Sequence, residues 1–370
     1  MSAVAHHLVR RGMDATSGYL SPTSNDDNEE RRKLSVWAIL VFSVTAIVFG
    51  LISFAIQYTY GTVVATLAVV EDPHPDIYER IRDSPDDSSK TTNAVRPGPD
   101  VALERLFPVT STLRSAILHL RARAGPWSRF RGLGIYMCLV ISRSILSQFF
   151  TFGRGNDLSH PLHSFGRIAA EVVSAPLALA WVHIVISEPS AKRFWRRIPG
   201  YSSWVKIAPA VALQSVASQL TFILPAHLAM RSRVWSVNEG NPLSDPEFDL
   251  RAEVAIAIGS FLLAICLTLL IELPATVTMI RVAASILPDQ EETIVPFDRT
   301  FGGKVQPAIL GGSGKIGLLD AWKTFTWPSR VRLLKVLVKT FAMMVPVTVA
   351  CAIVIAGEAS LMKEKMFVQA

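Results

Sequence analysis

Ala175-Pro176-Leu177-Ala178-Leu179-Ala180-Trp181-Val182-His183-Ile184-Val185-Ile186-Ser187 is an apolar stretch with a basic-capable residue seven positions after its proline and a serine eleven after it. Leu273-Pro274-Ala275-Thr276-Val277-Thr278-Met279-Ile280-Arg281-Val282-Ala283-Ala284-Ser285 repeats those features at the same offsets, 98 residues further on. Self-similarity at a period of about 100 residues, carried by apolar segments that contain proline, points to a membrane transporter assembled from internal repeats of a helix pair.

The two stretches are the third and fifth of six apolar segments. A span needs about 20 apolar residues, and the candidates are Leu34–Val70, Leu133–Phe152, Phe165–Ser187, Val205–Leu228, Val254–Leu287 and Val336–Ala356. The first and fifth exceed a straight perpendicular helix, so tilt, a kink at Pro274 or extension beyond the bilayer must absorb the excess. Half of the 370 residues are hydrophobic and 18% are charged, against about a quarter charged in soluble domains. The mean hydropathy is +0.35. The fold class expected is an all-α polytopic membrane protein of about six spans, with a three-fold pseudo-repeat of helix pairs. Its domain plan is a disordered N-terminal tail (1–33), a membrane domain (34–356) holding a disordered loop (71–104), and a C-terminal tail (357–370).

Cys138, Cys266 and Cys351 all lie in apolar segments, so neither a disulfide frame nor a metal site is expected. The first 33 residues carry five bases and five acids without an apolar core, unlike a secretory signal, and Asp26, Asp27, Glu29 and Glu30 argue against a transit peptide.

Loop charge sets the topology. Residues 105–131 hold six arginines and no acid, loop three (188–206) five bases and one acid, and loop five (288–335) seven bases and five acids. Loop two (153–163) has one of each, and loop four (229–252) three bases and four acids. Odd loops therefore lie on the positive side and both termini on the opposite one, with Arg31-Arg32-Lys33 pulling against that orientation. The odd loops also contain short amphipathic pieces. Leu113, Ile117 and Leu120 form a stripe that ends at Gly125-Pro126-Trp127. Phe194-Trp195-Arg196-Arg197 precedes Pro199-Gly200, and Leu318, Leu319, Trp322 and Phe325 precede Trp327-Pro328. These read as surface helices at the interface.

Three helix pairs, proline-containing odd spans and basic odd loops with surface helices resemble the mitochondrial carrier family. The stretch Leu113–Gly132 resembles that family's short surface helix, glycine turn and Arg-Gly start of an even helix. The resemblance covers roughly residues 34–356 and implies alternating access in a mitochondrial membrane. It also implies a Pro-x-Asp/Glu-x-x-Lys/Arg motif on each odd span, whose charges close one side. The second repeat places Pro176, Ala178 and Trp181 on that motif, and the third Pro274, Thr276 and Met279. The first repeat has its best register at Tyr58-Thr59-Tyr60-Gly61-Thr62-Val63-Val64, without the proline. Every network charge is missing.

Ionisable groups inside spans are costly and therefore functional candidates: Arg143, Glu171, His183, Glu272, Arg281 and Lys339. Even helices supply much of the substrate contact in the resembled family, so Arg143, Gln214 and Lys339 are the expected solute-binding set. An Arg and a Lys facing one cavity suit an anionic solute. The plainer alternative is that both cations snorkel or pair with Glu171 or Glu272. Pro176, His183, Pro274 and Arg281 mark the kink and repeat motif, with His183 and Arg281 on one helix face or at the interface. Gly311-Gly312-Ser313-Gly314-Lys315 lacks the remaining residues of a phosphate-binding loop and reads as a flexible loop. No nucleophile–base set is present, so an enzyme is not expected, and no cofactor, metal or nucleic acid is implied.

The expected partners are the lipid bilayer and a small anionic solute. The first functional reading is a carrier-like transporter with a degenerate gate. The alternatives are a non-transporting adaptor on the same scaffold, acting through its tails and first loop, and an unrelated six-span protein of another membrane.

Overall fold

A computed structural model describes residues 33–34, 36–72, 108–151, 161–190, 193–232, 250–306, 311–362 and 367–368. The expected tail over 1–33 lies outside them except at Lys33, as does the expected disordered loop from residue 73 onward. Among the described residues, five helices are long and apolar enough to cross a membrane: Trp37–Val70, Pro126–Phe150, Tyr201–Ala229, Arg251–Ser285 and Trp327–Leu361. The bent pair His163–Val173 and Ala175–Ile186 is apolar enough to make a sixth if the two parts cross as one span. The chain is an all-α integral membrane protein, and its spans fall on the six apolar segments of the sequence.

Each odd span departs from regular α-helix near its middle. In the first, α1 (Val36–Ile56) passes through a π-helical segment (Gln57–Val64) into α2 (Ala65–Val70). Wide turns of this kind accommodate an extra residue per turn. Here Thr62 Oγ1 donates to the Gln57 carbonyl at 3.2 Å, and the Gln57 side chain fills the place a Cβ on Gly61 would occupy. The third span bends by 55° between α5 (Pro161–Val173) and α6 (Ala175–Ile186). Pro176 has no N–H for the carbonyl four residues back, and that carbonyl, of Val172, instead accepts from Trp204 Nε1 at 2.8 Å. A neighbouring helix thus satisfies the group that proline frees in the bilayer. The fifth span runs from α8 (Leu250–Leu267) through a π-helical segment (Thr268–Glu272) into α9 (Leu273–Ser285), which opens on Pro274.

The chain divides into two compact units, residues 52–346 and residues 1–51 with 347–370. In the larger unit, α2, α6 and α9, the last parts of the three odd spans, pack against one another pairwise. They are apolar on nearly every face and form the centre of the buried core, as expected of helices hydrophobic all round. The even spans α4 (Leu133–Phe150) and α7 (Tyr201–Ala229) surround them, α4 against α5 and α6, and α7 against α5, α6, α8 and α9. The α4–α5 approach is very close. A Cβ on Gly166 would lie 2.5 Å from Thr151 Cγ2 and 3.4 Å from the Ser147 carbonyl. Gly166, Ala170 and Ser174, four residues apart, give the small-residue surface that close helix packing in membranes uses.

The surface helices form where the amphipathic stripes predict. α3 (Leu113–Ala124) starts at a Thr112/Ser115 capping box and stops at Gly125, whose φ of 81° leaves the helical region. A 3₁₀ turn spans Phe194–Arg197, and α10 (Leu318–Lys323) precedes α11 (Trp327–Met362). The last helix continues past Ala356, the expected limit of the membrane domain, because Gly357–Met362 holds no helix-breaking proline.

In the smaller unit, Lys33–Leu34 pairs antiparallel with Phe367–Val368, in the register Lys33↔Val368 and Leu34↔Phe367. Thr45 Oγ1 donates to Glu358 Oε1 at 2.5 Å. The segments flanking the first and last spans therefore meet at one end.

Candidate functional site

The convergence of α2, α6 and α9 creates an electrostatic problem at their ends. The last carbonyls of any helix lack intrahelical donors, and three C-terminal helix ends placed together concentrate partial negative charge. Basic side chains from other elements resolve it. At the end of α2, Arg281 Nη1 donates to the Val69 carbonyl at 3.3 Å, and Arg332 Nη2 donates to the carbonyls of Ala68 at 3.4 Å and Glu71 at 2.8 Å. At the end of α6, Arg131 donates to the carbonyls of Ile184 and Ser187. At the end of α9, His183 Nε2 donates to the Ala283 carbonyl at 2.9 Å.

The same region is sealed by aromatic rings. Trp181 Nε1 donates to Tyr58 Oη at 3.3 Å, and Tyr58 Oη donates to the Arg131 carbonyl at 2.6 Å. Tyr136 lies edge-on to Tyr58, with ring centres 5.1 Å apart. Gly132 holds a left-handed conformation (φ 73°) at the start of α4, and any Cβ there would come within 3.2 Å of Trp181 Cδ1. Glycine therefore meets both the backbone demand and the approach of the indole.

Glu71 ties this end to the surface helices. Its carboxylate accepts from Val109 N at 2.5 Å and Thr110 N at 3.0 Å, and from Thr110 Oγ1, and it lies 3.7 Å from Arg332. Arg281 adds cation–π contacts, 4.7 Å from the Phe301 ring and 5.5 Å from that of Phe325.

A second polar region lies between α4 and α5. A recess of about 380 Å³ is lined by Arg143, Ser144, Ser147, Gln148, His163, Arg167 and Glu171, with Val140 and Ala170. Arg143 Nη2 stands 4.0 Å from Glu171 Oε2, beyond hydrogen-bond range. Arg143 Nε and Glu171 Oε2 are buried without a hydrogen-bond partner. On α7, Gln214 Oε1, Ser215 Oγ, Gln219 Oε1 and Thr221 Oγ1 are likewise buried and unbonded. Buried polar atoms without partners are rare and costly, so the mid-membrane face of α7 and the Arg143–Glu171 recess hold unused bonding capacity.

Of the expected solute-binding set, the recess takes Arg143 alone. Gln214 is partly buried on α7, Lys339 is exposed on α11, and neither lines the recess. Glu272 accepts from Ser218 of α7 and lies within electrostatic reach of Glu171. His183 and Arg281 are 5% and 8% exposed; both are buried donors to neighbouring helix ends. Pro176 and Pro274 both open the second part of a broken span. In the glycine-rich loop, Gly311 and Gly314 adopt positive φ and Lys315 Nζ donates to the Lys206 carbonyl at 3.3 Å. Glu71 and Arg332 were not singled out by sequence, because they lie at span ends, where charge is commonplace; Tyr58 entered only by its register with Pro176 and Pro274, and Arg131 only as the Arg-Gly start of an even helix. Comparison with protein-family models and with characterised proteins finds no match to this chain.

Proposed function

We propose that this protein is a carrier-like solute transporter of a mitochondrial membrane, moving a small anionic solute by alternating access. In this reading the joined ends of α2, α6 and α9 are the closed gate, and the recess around Arg143 belongs to the solute path. The observation that carries it is the Arg143–Glu171 contact: two ionisable groups within the spans, 4.0 Å apart, each keeping a buried atom unbonded. A purely structural pair would be expected to close to hydrogen-bond distance. Arg143 and Arg167 against Glu171 leave the recess net positive, which suits an anion. The broken odd spans and the mutual packing of their last parts support the resemblance to the carrier family, with carbonyl caps in place of its missing charges.

The test is uptake by purified protein in liposomes, using radiolabelled inorganic phosphate, a dicarboxylate and a nucleotide as probes. Saturable uptake that falls at least roughly thirtyfold in Arg143→Ala supports the reading, since losing one partner of a desolvated charge contact commonly costs about 2–5 kcal/mol. Lys339→Ala, measured beside it, decides whether the third expected residue belongs to the path. Fractionation of tagged protein away from mitochondria would remove the localisation. The adaptor reading has its own observation, that Ala178, Trp181, Thr276 and Met279 stand where the resemblance implies charges. It prevails if no probe is taken up.

A further inference from the structure

The chain leaving the fifth span crosses back under the closed end. After α9, residues 288–306 follow an extended and turned path, and residues 291–297 of it touch both of the other odd spans' ends. Ile294 N donates to the Ile186 carbonyl at 2.9 Å and Glu188 N to the Glu292 carbonyl at 2.8 Å, framing an antiparallel bridge between Ser187 and Thr293. Asp72 N, just beyond the first span, donates to the Pro296 carbonyl at 2.9 Å. His119 Nε2 of α3 donates to the Ile294 carbonyl at 2.9 Å. Arg197 Nη2 bonds both Glu291 Oε2 at 2.6 Å and Ser187 Oγ at 2.7 Å. Ile294 and Val295 are 2% and 1% exposed, so the segment inserts side chains into the core as well as pairing its backbone. Its far side is pinned where Phe301, itself at positive φ (49°), lies against the Arg281 guanidinium.

We propose that residues 291–297 are a built-in strap that locks the closed gate. This rests on the transport reading above: opening toward the basic loops requires the ends of α2, α6 and α9 to part, and one peptide is bonded to the first two while continuous with the third. The bonds are few, directional and confined to seven residues, the arrangement of a segment that opens locally rather than with the whole fold. Releasing the strap frees the ends; holding it keeps them shut whatever the solute does.

The bridge geometry supplies the tool. The bonds from Ile294 and Glu188 flank Ser187 and Thr293, which makes these a non-hydrogen-bonded antiparallel pair, with Cα atoms about 4.5 Å apart, within disulfide reach. The experiment uses full-length protein in liposomes with Cys138, Cys266 and Cys351 replaced by alanine, and a reporter Ala68→Cys in the closed end. An impermeant maleimide is applied from the basic-loop side, and no solute is needed, so the outcome is independent of whether transport is ever found. The reporter should react roughly tenfold faster or more when Ile294→Gly and Val295→Gly loosen the strap. It should fall below the parent rate when Ser187→Cys and Thr293→Cys are oxidised, and recover with reductant. An Ala210→Cys reporter in α7 should not change; if it rises too, the loosened protein has unfolded and Arg197→Gln, which removes the guanidinium's tethers to Glu291 and Ser187 and leaves the backbone bridge, takes its place. Equal labelling of Ala68→Cys with the strap intact, loosened and crosslinked overturns the proposal.

Discussion

Arg281 reaches from the fifth span to donate to the carbonyl of Val69, near the end of the first, at 3.3 Å. This bond joins residues 212 positions apart and caps the helix at which it arrives. The same guanidinium donates to Thr324 Oγ1 at 2.9 Å and lies against Phe301 and Phe325. A side chain marked in sequence by its offset from Pro274 and by its charge inside a span is thus a junction between two odd spans and the fifth loop.

Replacing Arg281 with Met keeps much of the stem's volume and removes every polar contact. Two hydrogen bonds from a charged donor and two cation–π contacts are lost, which should cost about 2–4 kcal/mol. Thermal unfolding in detergent should show a clear drop in midpoint, with Arg281→Lys intermediate because it keeps the charge without the planar fork. An unchanged midpoint for Arg281→Met would refute the capping role.

Glu71 and Arg332 form a buried pair at 3.7 Å, and each also holds backbone groups. Breaking such a pair from one side leaves an uncompensated charge and costs about 3–5 kcal/mol. Glu71→Gln and Arg332→Met should each destabilise strongly, and the double variant by clearly less than the sum. Strict additivity in unfolding measurements would mean that the two side chains act independently.

The spans were legible because the signal for them is local: a run of about 20 apolar residues has few alternatives. The bend of the third span was legible from Pro176, and the surface helix at Leu113 from its stripe and from Gly125. The π-helical segments were not, since Gln57–Val64 and Thr268–Glu272 contain no residue that by itself widens a helical turn. Arg131 and Arg332 looked like ordinary positive-side charges. Their role depends on which helix ends lie beside them, and sequence separation conceals that. Residues 291–297 read as loop for the same reason. Their bonds to the ends of the first and third spans are backbone-to-backbone, and the side-chain bonds from His119 and Arg197 join residues too far apart in sequence to leave a pattern. The polar recess was partly legible: hydropathy finds Arg143 and Glu171 as charges out of place and allows Arg143 to pair with Glu171 or Glu272, but only the α4–α5 hairpin decides for Glu171.

That hairpin depends on Gly166. Alanine would gain up to about 1 kcal/mol of helix propensity, yet its Cβ would sit 2.5 Å from Thr151 Cγ2. Overpacking of this kind costs about 1–3 kcal/mol, so Gly166→Ala should lower the unfolding midpoint. Thr151→Ser deletes the clashing methyl and keeps the hydroxyl that donates to the Ser147 carbonyl at 2.9 Å. The double variant should therefore recover the parent midpoint or exceed it. Failure of this rescue would show that the cost lies elsewhere than in the α4–α5 contact.

The pairing of Lys33 with Val368 gives the crossing number a direct test. Opposed residues of an antiparallel pair have Cα atoms about 4.5–5.5 Å apart, which a disulfide spans without strain. In protein whose native cysteines are replaced by alanine, Lys33→Cys and Val368→Cys should oxidise to an intramolecular crosslink that shifts gel mobility. Reduced, each single variant should react with an impermeant maleimide from the same side of a sealed vesicle. Six crossings and the charge bias of the odd loops place Arg123→Cys and Lys315→Cys on the opposite side. An odd number of crossings would put Lys33→Cys and Val368→Cys on opposite sides and forbid their crosslink, so labelling from opposite sides would eliminate the six-span topology. If Arg123→Cys labels together with Lys33→Cys, the number of crossings before the first basic loop is not one. The first apolar helix, Trp37–Val70, would then have to lie along the membrane instead of crossing it.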